Sequence, residues 1–118
     1  MGRVVVQFLI PVREDPVAGN GQLHPPFRWK SLQDALARTF GGWTTPSGEI
    51  HGAWIDPQTK DEVRDTSRMF EVDVDEERLD EVRALLRRAC RTFVQKCVRM
   101  VILGRAEYIE GGPNDEPL

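Results

Sequence analysis

The sequence predicts an α+β domain, one antiparallel sheet with two helices packed on the same face. Three observations carry this prediction. Residues 3–12 form a run rich in Val, Ile, Leu and Phe, as a buried strand does. Residues 68–74 alternate strictly, with Phe70, Val72 and Val74 on one face and Met69, Glu71 and Asp73 on the other. Residues 27–40 and 75–95 each carry apolar side chains at helical spacing.

Pro11 and the charges that follow it end the first strand, and residues 13–25 read as a loop punctuated by Pro16, Gly19, Asn20, Gly21 and Pro25. The first helix spans 27–40. Trp29, Leu32, Leu36 and Phe40 share a face, Pro25-Pro26 suits its entrance, and Gly41-Gly42 its exit. Ser31 offers an alternative cap for a shorter helix. Residues 42–56 read as two short strands around Pro46-Ser47-Gly48. On the second, Ile50, Gly52 and Trp54 share one face, with Glu49, His51 and Ala53 on the other. A polar loop over 56–66 precedes the alternating strand.

The second helix, 75–95, carries the stripe Leu79, Val82, Leu86, Ala89, Cys90 and Phe93. Acids crowd its start and arginines its later turns, as the helix dipole favours. Residues 97–109 form the last strand, either continuous or broken at Gly104, where a bulge would be natural. With 42–56 counted as one strand or hairpin, the order is β-α-β-β-α-β, the ferredoxin-like sandwich. Residues 1–110 are expected to form this single domain, and 111–118, with two glycines and two prolines, a flexible C-terminal tail.

Composition narrows the function classes. The 118 residues carry a net charge of −3, which weighs against a nucleic-acid partner. No apolar run approaches the roughly 20 residues that span a bilayer, so no membrane partner is expected and the cytoplasm is the expected location. Cys90 and Cys97 would lie about 10 Å apart on one helix, too far for a disulfide.

Spread across 3–110, most of which the likeness covers, are the segments Arg38-Thr39-Phe40-Gly41-Gly42-Trp43-Thr44, Gly52-Ala53-Trp54, Met69-Phe70-Glu71-Val72 and Phe93-Val94-Gln95. In these the chain resembles a family of small uncharacterised bacterial proteins with a ferredoxin-like fold. The resemblance implies the architecture and brings no catalytic residue. The chain departs from the family at Trp43, where a small residue is common, and in the Pro/Gly loop 16–26.

The ligand or interface candidates are Trp43, Glu49, His51, Trp54, Asp56 and Glu71. Two tryptophans on neighbouring strands can wall a small-molecule pocket, or serve as core or interface residues. His51 beside Glu49, with Asp56 five residues on, has the makings of an acid–base pair. Glu71 marks the half-polar strand face. The acidic group Asp56, Asp61, Glu62 and Asp65 lacks the residue order of a calcium loop and reads as solvated. The basic set Arg83, Arg87, Arg88, Arg91, Lys96 and Arg99 has the charge of a nucleic-acid patch, but the RNA-recognition signature is absent and the set reads as a solvated helix face; His24 has no evident role. Gly19-Asn20-Gly21 is not a phosphate loop, and no nucleophile elbow is present. No metal, cofactor or catalytic residue is therefore expected.

These features lead to the expectation of a non-catalytic domain that pairs with itself, as a homodimer, or with another protein through its open sheet face. The alternative is a small dimeric α+β-barrel enzyme or ligand-binding protein. In it Trp43, His51 and Trp54 line a cavity, and Glu49 or Asp56 partners the histidine.

Overall fold

The alternation of β1 (Arg3–Pro11) sets the two sides of the molecule. Val4, Val6, Phe8 and Ile10 are buried, and the odd-numbered residues point the other way. The computed structural model describes residues 2–102 and 105–118, and β1 lies at the centre of its sheet. After β1 come α1 (Pro26–Phe40), β2 (Ile50–Ile55), β3 (Glu62–Asp75), a 3-10 turn (Glu76–Arg78), α2 (Leu79–Thr92), β4 (Cys97–Ile102) and β5 (Arg105–Glu110). The sheet order is β2-β3-β1-β4-β5, and every neighbouring pair is antiparallel.

Register carries the parity of β1 across the sheet. Phe8 pairs with Phe70 and with Met100, and Val6 with Val72 and Ile102. These residues form one core with Trp29, Leu32 and Leu36 of α1 and Val82, Leu85, Leu86 and Ala89 of α2. Both helices therefore cover the same sheet face. Each fully buried aliphatic or aromatic side chain contributes about 1.5–3 kcal/mol. Phe70 is the hub, its ring 5.7 Å from Phe8, 6.2 Å from Trp29 and 5.8 Å from Trp43.

Helix ends follow their sequence signals. Pro25 caps α1 and Pro26 opens it, while Ser31 bonds back to the Phe27 carbonyl at 2.9 Å and caps nothing. Gly41, at φ 87°, donates its N–H to Ala37 in the left-handed exit that glycine accepts without steric cost. The second helix is shorter than expected. Its first turn is 3-10, and the chain leaves the helix after Thr92 with Val94 at φ 51°.

Several expectations change. The loop expected over 56–66 shrinks to the turn 56–61, because β3 already begins at Glu62 and pairs with β2 from Ile55↔Glu62 to Ile50↔Ser67. The turn is built by Asp56, whose Oδ1 accepts the N–H groups of Gln58 (2.8 Å) and Thr59 (3.3 Å). The first of the two short strands over 42–56 reduces to one bridge, Thr44↔Glu71. Of the two readings of the last strand, the broken one holds: it is two strands, β4 and β5, paired from Cys97↔Glu110 to Ile102↔Arg105. The bulge expected at Gly104 lies outside the described residues.

The helix face expected to be solvated is partly an anchor. Arg83 donates Nε and Nη2 to the two carboxylate oxygens of Glu107 on β5, at 2.8 and 2.9 Å. This forked, charge-assisted pair ties α2 to the outer strand. Residues 111–118 run along α2. Leu118 N–H donates to Thr92 Oγ1 at 2.6 Å, and a Cβ on Gly111 would stand 2.6 Å from that of Cys90. Among the described residues no helix is long and apolar enough to cross a membrane.

Candidate functional site

The sheet face away from the helices is uncovered, and it holds a cavity of about 880 Å³. Parity decides what lines it. Leu9 and Pro11 come from β1, and Ser67 and Asp65 from β3. Beside these on β2 stand Ile50, Gly52 and Trp54. From the other side come Cys97 and Arg99 of β4, paired with Glu110 and Tyr108 of β5. Asp15, Gln95 and Lys96 close the rim. Trp54 is 49% exposed and Tyr108 64%, so two aromatic faces stand open to whatever enters. Gly52 leaves a notch between Ile50 and Trp54, and a Cβ there would meet Asp65 Oδ1 at 3.4 Å.

Asp15 Oδ1 accepts the Val17 N–H at 2.8 Å, but the other charged groups of this cavity are not used up internally. Among the described residues, no hydrogen bond or ion pair engages the side chains of Asp65, Lys96, Arg99 or Glu110. By contrast Arg28, Arg64, Arg78 and Arg83 all meet carboxylates. Cys97 lies half-buried in the wall, and burial raises its thiol above the usual range. The more deeply buried Cys90, whose Sγ donates to the Ile109 carbonyl, is pushed up to about 11 by the same cause.

Of the residues singled out from sequence, Trp54 faces the cavity. Trp43 does not join it. Its strand position next to the Thr44↔Glu71 bridge puts it on the helix side, edge-on to Phe70. His51 borders the cavity, but its position opposite Thr66 alternates with Trp54, and its Nδ1 lies 3.1 Å from Thr66 Oγ1. Among the described residues neither Glu49 nor Asp56 bonds to it; Glu49 is exposed, and Asp56 is committed to its turn. Glu71 accepts a hydrogen bond from Gln7 at 2.9 Å and belongs to a separate shallow recess with Arg3 and Trp43.

His24 is the residue the sequence hid. It is buried edge-on against Trp29 and Phe93, with centroid distances of 5.6 and 4.9 Å. Its Nε2 lies 2.9 Å from the Pro11 carbonyl and its Nδ1 3.0 Å from Arg28 Nη1. Since a carbonyl only accepts and a guanidinium only donates, the ring is neutral with its proton on Nε2. Burial, first of all, holds its pKa below the ordinary histidine value. Arg28 also pairs with Glu14 at 2.9 Å, and that bond, first, depresses the Glu14 pKa. Glu14 Oε1 in turn accepts the Asn20 N–H. The chain from His24 to Glu14 thus fixes the loop that carries Asp15 to the cavity rim.

No family model and no curated protein matches the sequence. Two solved structures share its fold. A phage SAM lyase in complex with S-methyl-5'-thioadenosine aligns with 93% of this chain and 91% of its own, at TM-score 0.67 and 13% identity. A phage SAM lyase in the apo state aligns with 93% and 90%, at TM-score 0.58 and 16% identity. At such identities the likeness is one of fold. It nevertheless overturns the expectation of a non-catalytic pairing domain: both similar structures are of an enzyme, so the comparison favours the enzyme or ligand-binding alternative.

Proposed function

We propose that this chain is a small enzyme that binds an adenine nucleoside sulfonium compound, of the S-adenosylmethionine class, on the uncovered face of its sheet. The cavity on that face is the observation that carries the reading. Its volume, about 880 Å³, lies in the range of small-molecule sites. Trp54 and Tyr108 offer aromatic faces for stacking a base or for contact with a cation. The carboxylates of Asp65 and Glu110, unpaired among the described residues, suit hydroxyl and ammonium donors and the positive sulfur. The solved structure of like fold with S-methyl-5'-thioadenosine bound supports the same ligand class. Breaking one carbon–sulfur bond of a sulfonium leaves both bonding electrons on sulfur and yields a neutral thioether of that kind, while the carbon released from sulfur takes its new bond from an oxygen nucleophile, the ligand's own carboxylate or water.

The strand order supports reading the fold as the ferredoxin-like plan extended by β5 at one edge. The same reading includes a second copy of the chain facing the cavity. Val5 on this sheet face is 45% exposed and Tyr108 64%, apolar surface that a homo-oligomer would shield. The two free cysteines accord with a cytoplasmic setting.

The test is direct. Purified protein is incubated with S-adenosylmethionine, and chromatography follows the appearance of S-methyl-5'-thioadenosine; calorimetry measures binding of that thioether. The reading expects turnover and binding, both reduced at least tenfold by Trp54→Ala. Absence of thioether above the buffer control, together with no binding at millimolar ligand, refutes it. Light scattering reports whether the protein is an oligomer, and a monomer at high micromolar concentration removes the second copy from the reading.

A further inference from the structure

Taking the nucleoside reading as its base, the charge layout of the cavity points to a further division of labour: we infer that Arg99 and Glu110 form a subsite for the α-amino-acid end of the ligand. Arg99 is, among the described residues, the one arginine in the cavity wall, and no carboxylate pairs with it. It stands on β4 directly across from Tyr108, and its neighbour along the same strand face, Cys97, stands across from Glu110. Arg99 and Glu110 are therefore diagonal neighbours on one face, close enough to engage the same small group. Lys96 adds a second positive charge at that end.

A guanidinium and a carboxylate held apart from each other, both open to a cavity, match a zwitterion. The guanidinium receives the α-carboxylate through its fork, and the carboxylate of Glu110 accepts from the α-ammonium. A ligand with only an anionic group would leave Glu110 opposed to it, and a purely cationic ligand would be repelled by Arg99 and Lys96. The opposite end of the cavity is built differently. There Trp54, Ile50, the notch at Gly52 and the Asp65 carboxylate suit a planar base and hydroxyl groups. The two ends lie on β4 and β2, three strand steps apart, roughly 14 Å. A nucleoside bearing an amino-acid arm has one end for each, with the Arg99 and Trp54 side chains reaching inward to meet it. Orientation follows: base toward β2, amino acid toward β4 and β5.

The experiment compares two stable probes by calorimetry on the full chain. S-adenosylhomocysteine carries the amino-acid arm; S-methyl-5'-thioadenosine lacks it. Wild type is expected to bind the first at least about tenfold more tightly, the worth of one charge-assisted hydrogen bond or more. Arg99→Met is expected to abolish that preference while leaving the affinity for S-methyl-5'-thioadenosine within about twofold, by the same arithmetic. Glu110→Gln should weaken S-adenosylhomocysteine alone. Circular dichroism melts confirm that these exposed positions leave the fold intact. If wild type binds S-methyl-5'-thioadenosine but Arg99→Met keeps the ratio of the two affinities, the subsite is refuted and the nucleoside reading stands. If wild type binds neither probe, the nucleoside reading itself falls, and the subsite with it.

Discussion

Replacing Phe70 with alanine measures how firmly the helix-covered side holds the sheet that presents the cavity. The ring is 1% exposed and lies within 6.2 Å, centroid to centroid, of Phe8, Trp29 and Trp43. Removing it costs the transfer free energy and leaves a cavity, together about 3–5 kcal/mol. Losing three aromatic contacts, each about 0.5–1.5 kcal/mol, pushes the total toward the top of that range. A domain of 118 residues has an unfolding entropy near 0.25 kcal/mol/K at about 2.1 cal/mol/K per residue, so 4 kcal/mol corresponds to roughly 16 °C in Tm. Trp54→Ala is the matched control, a larger ring on the other face and 49% exposed. It should cost no more than about 1 kcal/mol, or roughly 4 °C. Thermal melts followed by circular dichroism and calorimetry give both numbers. A Phe70→Ala loss of less than about 5 °C, or a Trp54→Ala loss as large as that of Phe70→Ala, would refute the assignment of these two rings to opposite faces.

The remaining predictions concern charge and reactivity. The folded state holds His24 neutral below its ordinary value of 6.5, so the unfolded chain takes up its proton first as pH falls. The associated stability is full above that value and is lost as pH falls through the lowered folded pKa. Urea midpoints should therefore drop between pH 7 and pH 5 in wild type, and a His24→Gln variant should show a smaller drop over the same interval. An unchanged drop would remove His24 from the account. Glu107→Gln breaks the fork with Arg83, both side chains being 25% exposed, and should cost about 1–3 kcal/mol in urea titrations. A loss within about 0.3 kcal/mol would mean the pair is solvated after all. Alkylation at pH 8 should modify half-buried Cys97 before buried Cys90, and S-methyl-5'-thioadenosine should slow the reaction at Cys97. Mass spectrometry that finds Cys90 modified first, or no protection at Cys97, would contradict the placement of these thiols.

The elements with a covered face were legible because burial writes a period into the chain. The α2 stripe and the alternation of 70, 72 and 74 both report one apolar side, and the structure buries those residues, with Leu79 partly buried against the same core. The first half of β3 was not legible for the same reason in reverse. Its strand pairs at the edge of the sheet with both faces largely wet, so Glu62, Arg64 and Asp65 show no apolar period, and their charges read as a loop. Local alternation puts Trp54 on one face with Ile50 and Gly52, and the pairing of β2 with β3 does the same. No local pattern crosses the turn at 46–48 to separate Trp43 from Trp54, and only the bridge Thr44↔Glu71 shows that the two rings face opposite ways. The cavity's other residues come from β3, β4 and β5, brought together by sheet order, which no single segment records. A signal for Arg99 did exist. It alternates with buried Val98 and Met100, which places it on the uncovered face. His24 had none, since its partners, Pro11 and Arg28, act through a carbonyl and a guanidinium brought together by the folded loop.

The claim on which the rest stands is that the uncovered sheet face is where a small molecule binds. Amide chemical shifts of the labelled protein, recorded while S-methyl-5'-thioadenosine is added, test it residue by residue. The account predicts saturable changes confined to residues 50–54 of β2, 65–67 of β3, 97–99 of β4 and 108–110 of β5. Changes centred on α1 and α2, or none at millimolar ligand, would contradict it.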